Sequence, residues 1–151
     1  MINRRSGFTL IELLVTTVLL ALGLIALSTL FVAGIVSDIK AERIQMATNR
    51  ARKELERMRS AGYSGALIDA TVFKPADGYT ITESHTDLTG VVSFTEPSLP
   101  SGAGTVEIRY YNPGTGIYAN LKRVSVALSW GGGRRTQGSV YATTLIANRP
   151  Q

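Results

Sequence analysis

The strongest constraint in this 151-residue sequence is a run of 25 residues, 13–37, without a charged side chain. Glu12 and Asp38 bound the run, and nearly all residues between them are apolar. A helix needs about 20 apolar residues to cross a hydrocarbon core about 30 Å thick. The run therefore predicts one membrane-spanning helix near the N-terminus, and any globular domain has to be built from the residues that follow it.

The first seven residues, 1–7, differ from an ordinary secretory signal. They are polar, carry Arg4 and Arg5, and end in Gly7 before the apolar run begins. A secretory signal places its small-residue cleavage site after the apolar stretch, which is then lost from the mature protein. Cleavage between Gly7 and Phe8 would instead remove a short leader and leave the apolar segment on the mature chain.

The sequence from Gly7 to Val15, GFTLIELLV, resembles the processing site of type IV prepilins and type II secretion pseudopilins. The resemblance implies that a prepilin peptidase cuts after Gly7 and that the new N-terminal amine, on Phe8, is methylated. It also implies three further partners: membrane lipid before assembly, an inner-membrane assembly machinery, and other pilin or pseudopilin subunits. The resemblance is specific over about the first 35 residues and is one of general style beyond them.

Glu12 lies at the start of the apolar run, where an ionised side chain is energetically costly unless another group compensates its charge. Insertion scales place the cost of Asp, Lys or Arg at mid-helix at about 2.5–3.5 kcal/mol. The resemblance implies that Glu12 acts in assembly, by meeting the Phe8 amine of a neighbouring subunit and setting the axial stagger. Such a pair at about 4 Å is worth roughly 4 kcal/mol at an effective dielectric near 20, before desolvation costs. The alternative is a membrane-surface glutamate without a role.

The predicted helix extends well past the membrane span. No proline occurs before Pro75, so only Gly23 and Gly34 weaken a helix over residues 8–59. If continuous, that helix is about 78 Å long, at 1.5 Å per residue. Such a length favours one half in a membrane or filament core, residues 8–36, and one amphipathic half against a globular head, residues 37–61. Gly62 is suited to end the helix because it tolerates a left-handed conformation.

The amphipathic half carries an apolar stripe at spacings of three and four residues, which predicts packing against a sheet. The stripe consists of Ile44, Ala47, Ala51, Leu55 and Met58. The charged residues are expected on the other faces, where some compensate one another, as Arg50 and Glu54 do at i and i+4. A coiled-coil partner is the alternative, although the stripe covers only about two heptads.

Residues 62–151 form the predicted head, because the hydrophobic period changes there from 3.6 to 2. The predicted strands are Tyr79–Glu83, Thr105–Tyr111, Lys122–Trp130 and Ser139–Ala147, with a turn at 112–116 and a hairpin loop after Trp130. Together these elements predict an α+β, pilin-like fold, in which one long N-terminal helix, transmembrane in its first half, packs on a small antiparallel β-sheet.

The residue inventory argues against catalysis and metal binding. The chain has no Cys, and its one His, His85, lies in a polar turn, so a catalytic triad would depend on an exposed loop residue. Asp69, Asp77 and Asp87 are too scattered for a calcium loop. Arg134 and Arg135 are read as a hairpin tip, since no run of five like charges indicates a nucleic-acid partner. We therefore expect a protein that is not an enzyme and has no cofactor and no metal.

Charge counting leaves the membrane orientation open. Arg4, Arg5 and the initial amine precede the span, and three basic residues follow it within reach of the membrane. The resemblance implies a cytoplasmic leader and an exported head, held in the bacterial inner membrane by a single N-terminal helix. After assembly the subunit would lie in a pilus or in a periplasm-spanning filament.

The expected function is that of a structural subunit of a type IV pilus-like filament. A minor subunit is favoured because many major pilins carry a proline about twenty residues into this helix and a disulfide-bounded loop. Here the corresponding helix segment is Ala26–Leu30, and the chain has no Cys. Two alternatives remain: a minor pseudopilin of a type II secretion system, and a membrane-anchored binding module.

Overall fold

A computed structural model describes residues 9–111, 118–131 and 136–148, with residues 118 and 119 described by their backbone alone. The predicted leader, the whole of the predicted 112–116 turn with residue 117, and the predicted Arg134–Arg135 tip lie outside the described residues. The elements are helix α1 (Leu10–Gly65), the 3₁₀ turn η1 (Pro75–Asp77), and strands β1 (Tyr79–Ser84), β2 (Gly90–Glu96), β3 (Gly102–Tyr111), β4 (Tyr118–Trp130) and β5 (Gly138–Ala147). The predicted α+β class, a long N-terminal helix with an antiparallel sheet, is confirmed.

The chain divides into two compact units, Met1–Asp38 and Ile39–Gln151. In the first unit, the described residues are almost all helical and exposed. The second unit holds the remainder of α1 and all five strands. Its buried apolar residues lie between Ala47 and Ile146, so this unit has a core of its own.

Gly62 interrupts α1 near its C-terminal end, where the sequence predicts a stop. Its φ of 71° and ψ of −173° are non-helical, and a positive φ of this kind is readily adopted only by glycine. One further turn follows, and the Ala66 N–H donates to the Gly62 carbonyl at 3.0 Å. The end of the helix is therefore set by backbone conformation at a single residue.

The sheet is an antiparallel meander with strand order β1-β2-β3-β4-β5. The sequence predicts four of the strands; β2 was missed, and β3 and β4 begin earlier than expected. The predicted hairpin between the last two strands is confirmed, since Trp130 pairs with Gly138. Four alternating side chains of β4 are buried in the core: Val124, Val126, Leu128 and Trp130.

Two predictions for the amphipathic half of α1 are wrong. Ile44 is 41% exposed, whereas Glu54, expected on a charged outer face, is only 2% exposed. The buried positions of the helix are Ala47, Ala51, Glu54 and Met58. At the turn that contains Ile44, Arg43 reaches toward the sheet and donates to the Thr136 carbonyl at 3.2 Å.

Candidate assembly helix and head anchor

Thr9 caps the N-terminus of α1. Its carbonyl accepts from the N–H groups of Glu12 and Leu13 at 3.1 and 3.2 Å, and its hydroxyl accepts from the Glu12 N–H at 3.3 Å. The Thr9–Glu12 spacing is that of a capping box, in which an acid at the third helical position also suits the positive end of the helix dipole. The sequence interpretation missed this local role, although the T-x-x-E pattern is present in the sequence.

The structure describes the predicted assembly residue but neither of the two predicted processing residues. Glu12 lies exposed in the first turn of α1. Gly7 and Phe8 lie outside the described residues. Cleavage at Gly7, methylation of Phe8 and pairing of Glu12 with a neighbour's amine therefore stay predictions.

The first half of α1 exposes apolar side chains on every face. Its most apolar 18-residue window has a mean hydropathy of 2.6, and by length and composition the helix is able to cross a membrane. The largest exposed fractions occur at Leu10 and Phe31. In water such a surface is strongly unfavourable, at about 25 cal/mol per Å² of apolar area. The surface therefore suits lipid or a bundle of other helices.

Polar side chains within this apolar helix bond to the helix itself. The hydroxyls of Thr16, Thr17, Ser28 and Thr29 donate to carbonyls three or four residues earlier, at 2.8–2.9 Å. A donor without a partner costs several kcal/mol in hydrocarbon. Because these four donors are satisfied locally, they do not oppose insertion into lipid or into a helical bundle.

In the second unit, α1 is fastened to the sheet by a buried carboxylate. Glu54 accepts a hydrogen bond from the Tyr79 hydroxyl at 2.7 Å and pairs with Arg50 at 3.1 Å and Arg57 at 3.4 Å. Arg50 also lies 3.2 Å from Glu96 at the end of β2. A buried charge is tolerated only when it is paired and hydrogen-bonded, and here the partners come from both the helix and the sheet.

Aromatic rings cover the two arginines of this cluster. The Arg50 guanidinium lies 5.1 Å from the centre of the Phe94 ring. The Arg57 guanidinium lies 5.0 Å from the Phe73 ring and 5.2 Å from the Tyr79 ring. Burial raises the pKa of Tyr79, and its hydrogen bond to Glu54 adds to the increase. The cluster holds α1 against the sheet by charge, hydrogen bonding and ring contacts together.

Lys122, on the inner face of β4, anchors the C-terminal end of α1. Its ammonium donates to the carbonyls of Tyr63 at 3.2 Å and Ala66 at 3.0 Å, and lies 4.6 Å from the centre of the Tyr63 ring. The side chain is 3% exposed. Burial lowers the pKa of Lys122, an effect that Asp87 partly opposes. A cation here donates hydrogen bonds to carbonyls at the end of the helix and offsets their partial negative charge.

The residues considered for catalysis or metal binding lie apart in exposed turns. The His85 ring bonds to the Glu83 carboxylate at 2.8 Å. Asp69 and Asp87 each accept hydrogen bonds from a threonine two residues later, Thr71 and Thr89. The Thr89 hydroxyl lowers the pKa of Asp87. In the described residues, no group of three or more His, Cys, Asp and Glu side chains is placed to hold a metal ion.

The first half of α1 is apolar and exposed, and its second half is anchored on an antiparallel sheet. This combination suits a subunit that inserts into a membrane and assembles with others. A family model, the prokaryotic N-terminal methylation motif, matches residues 2–28. The match confirms the resemblance to type IV prepilins and pseudopilins and supports a type IV pilin- or pseudopilin-like subunit, with prepilin peptidase and other pilin subunits as implied partners. Comparisons with curated proteins and with solved structures give no match.

Proposed function

We propose that the chain is a structural, minor subunit of a type IV pilus-like filament, held in the bacterial inner membrane until it is assembled. The observation that carries this proposal is the prepilin motif, residues 2–28, placed directly on an exposed apolar helix. A minor role is favoured by the absence of cysteine from the sequence, which excludes a disulfide-bounded loop. A minor pseudopilin of a type II secretion system is the alternative with the same chemistry.

The proposed mechanism is mechanical. The processed chain waits in the membrane with residues 8–36 as its anchor. An assembly machine then moves this apolar surface from lipid into a bundle of neighbouring helices, so little hydrophobic free energy changes. Because lipid and bundle are similarly apolar, packing and polar contacts decide register. Glu12 is the polar group available for that purpose.

A structural role is also favoured over an enzyme or a binding module. One cleft beside α1 has a charged lining that includes Arg50, Glu54, Arg57 and Tyr79. These four side chains already bond one another in the head anchor. A binding pocket needs polar groups that converge on a ligand, and here they are used to hold the helix on the sheet.

Intact mass with N-terminal sequencing of protein from membranes and from sheared filaments tests the proposal. We expect a chain that begins at N-methylated Phe8 and is present in the filament fraction. A chain that still begins at Met1, in cells with an active prepilin peptidase, would contradict the proposal and favour the membrane-anchored module. The identity of the filament in which the chain is found separates a pilus from a type II secretion system.

A further inference from the structure

The two free edges of the sheet, β1 and β5, differ in how they are protected. β1 has six residues, carries Glu83 and changes register between Ile81 and Glu83. β5 has ten residues, pairs with β4 without a register shift, and has no charged side chain. Short length, charge and bulges are the features that keep a sheet edge from pairing with another chain. β5 has none of them.

The outer edge of β5 has free backbone groups. The Asn148 N–H donates to the Asn120 carbonyl at 2.8 Å, so these residues form a hydrogen-bonded pair. Such pairs alternate along an antiparallel ladder. Even-numbered residues of β5 therefore bond to β4, and odd-numbered residues direct their N–H and C=O groups outward. In the described part of the chain, no other backbone group bonds to them. Tyr141, 67% exposed, and Leu145, 48% exposed, are among these odd-numbered residues.

Charge is distributed unevenly across the sheet. Residues 66–107, which include β1, β2 and most of β3, contain six acidic residues and one basic residue. Residues 108–151, which include β4 and β5, contain six basic residues and no acidic residue. The β1 edge of the sheet therefore belongs to the acidic part of the sequence and the β5 edge to the basic part, and we call them the acidic edge and the basic edge.

The cations near β5 lack acidic partners. Arg59 donates to the Thr144 hydroxyl at 3.0 Å, Arg43 bonds the carbonyl just before β5, and Arg123 stands opposite Leu145. In the described region, no carboxylate lies within 4.0 Å of any of the three. The basic edge is thus available to acidic groups of another molecule.

Strand direction decides which edge of a second copy fits. Four successive antiparallel pairings make β1 and β5 run in the same direction. Two heads with the same orientation therefore present β5 of one to β1 of the other. Pairing β5 with β5 would need a two-fold axis through the sheet, which reverses one helix and sets a basic edge against a basic edge.

We propose that β5 of one copy lies along β1 of a second, like-oriented copy, so that this subunit, although minor in overall abundance, enters the filament as a short run of neighbouring copies; this inference rests on the proposed function. The contact joins unlike surfaces and does not close on itself, which is the geometry of a helical assembly. The bulge in β1 limits continuous strand pairing. Attraction between the acidic and basic edges therefore contributes much of the contact and makes it sensitive to salt.

Engineered cysteines test the contact cleanly, because the sequence contains no Cys. The full-length variants Leu145→Cys, on β5, and Thr80→Cys, on β1, are produced in the same cells and treated with a short bismaleimide. We expect a mixed dimer in membranes or filaments that exceeds, at least fivefold, the product formed when Thr105→Cys replaces Thr80→Cys. Thr105 is the matched control because it is exposed on the central strand β3.

Two results would overturn the inference. One is a dimer formed by Leu145→Cys alone in excess of the mixed product, which would mean that β5 pairs with β5. The other is a mixed product no greater than that of the Thr105→Cys control in filaments that contain both variants. Absence of the chain from filaments contradicts the proposed function instead, and the mixed product in membranes then decides the inference.

Charge reversal tests the electrostatic part of the contact. We expect Arg59→Glu to lower the yield of mixed dimer at least threefold, whereas Arg52→Glu, at an exposed position of the same helix, leaves it unchanged. Asp77→Lys, two residues before β1, is a second variant. We expect it to lower the yield of mixed dimer in the same way without disturbing Thr144. We also expect the wild-type yield to fall in 0.5 M salt, where screening is stronger. Equal yields in all variants and salts would overturn the proposed attraction.

Discussion

Glu54 shows how one residue joins two elements of the head. Its carboxylate is withdrawn from water on the buried face of α1 and is compensated by Arg50 and Arg57 on the same helix. Tyr79, 25 residues later in the chain, supplies the hydrogen bond from the sheet. The helix is therefore fixed on β1 at a defined position, which apolar packing alone specifies less sharply.

Removing the Glu54 carboxylate should destabilise the head. We expect Glu54→Ala to lower the free energy of unfolding by about 2–3 kcal/mol, because it leaves buried partners without an acceptor. The value lies below the roughly 3–5 kcal/mol typical of fully buried pairs because both arginines keep some contact with solvent.

Urea unfolding of the purified protein in detergent measures this effect, followed through the fluorescence of Trp130, the only tryptophan. Glu56→Ala is the matched control, since Glu56 is an exposed glutamate on the same helix. We expect its effect to stay within about 0.5 kcal/mol. Equal losses for the two variants would contradict a special role for Glu54.

Tyr79 gives the same cluster a dependence on alkaline pH. Its pKa is raised in the folded state by burial and by the bond to Glu54. A raised pKa stabilises the fold fully at pH values below about 10, the unfolded value, and this stabilisation is lost as the pH rises through the folded value.

Tyr79→Phe should therefore cost about 1–3 kcal/mol near neutral pH, because Glu54 loses a buried donor. The difference from wild type should shrink as the pH rises above 10. Unfolding free energies measured for both proteins between pH 8 and 11 provide the check. A difference that stays constant over this range would show that the hydroxyl titrates as it does in the unfolded chain.

The buried position of Glu54 was partly predictable from the sequence. Ala47, Ala51, Glu54 and Met58 follow one another at helical spacings, so Glu54 falls on the buried stripe. The rule that charges face solvent hid this position, because the compensating hydroxyl of Tyr79 comes from a distant part of the chain. Ile44 was placed on the stripe because it is apolar and lies three residues before Ala47.

Among the strands, β2 and β3 pack through an unusual cross-strand contact. Gly104 on β3 pairs directly with Phe94 on β2. A Cβ atom at Gly104 would lie 2.2 Å from Cζ of the Phe94 ring. The ring therefore occupies space that only a glycine leaves open, and it also contacts the Arg50 guanidinium and the Tyr79 ring.

We expect Gly104→Ala to destabilise the head by about 1–3 kcal/mol through overpacking. Gly131→Ala is the matched control, because the nearest atom to its added Cβ is a Ser101 carbon at 3.4 Å. Thermal unfolding measures both variants. In a Phe94→Leu background, the cost of Gly104→Ala should fall by at least 1 kcal/mol, within the usual range of coupling energies between contacting residues. An unchanged cost would contradict the proposed clash.

The apolar run and the strands with clear alternation were predicted from sequence, and β2 was not. The apolar run and the alternation in β4 and β5 each extend over many residues, so the buried face is evident. β2 buries two large apolar side chains, Val92 and Phe94, and follows a loop at Leu88, where φ is positive. Its position depends on pairing with β3, which local periodicity does not encode.

In the molecule as a whole, the exposed apolar surface and the charged surface lie in different parts of the chain. The exposed apolar half of α1 suits lipid or a helical bundle, whereas the head carries charge in the buried anchor and around the two edges of the sheet. The methylation motif and the apolar run were sufficient to predict the class of protein, a prepilin-like subunit, from the sequence. The acidic and basic edges became visible only once the strand order placed β1 and β5 at opposite sides.

Glu12 is the residue with a predicted role in assembly, and its contact in the structure provides a more specific test of that role. Its N–H bonds to Thr9, so the residue also takes part in starting the helix. Glu12→Ala removes both the charge and a favourable residue at the helix start. Glu12→Gln removes only the charge, because glutamine also suits this position of a capping box.

We expect both Glu12 variants to be cleaved after Gly7 and to remain in the membrane, while their amount in sheared filaments falls at least tenfold. That loss corresponds to about 1.4 kcal/mol, a part of the roughly 4 kcal/mol available to the pair before desolvation. Asp38→Asn, at the other end of the uncharged run, is the matched control and should assemble normally. Quantitative immunoblots of membrane and filament fractions measure all three. If Glu12→Gln assembled like wild type while Glu12→Ala did not, capping the helix rather than pairing with a neighbour's amine would be the function of this residue.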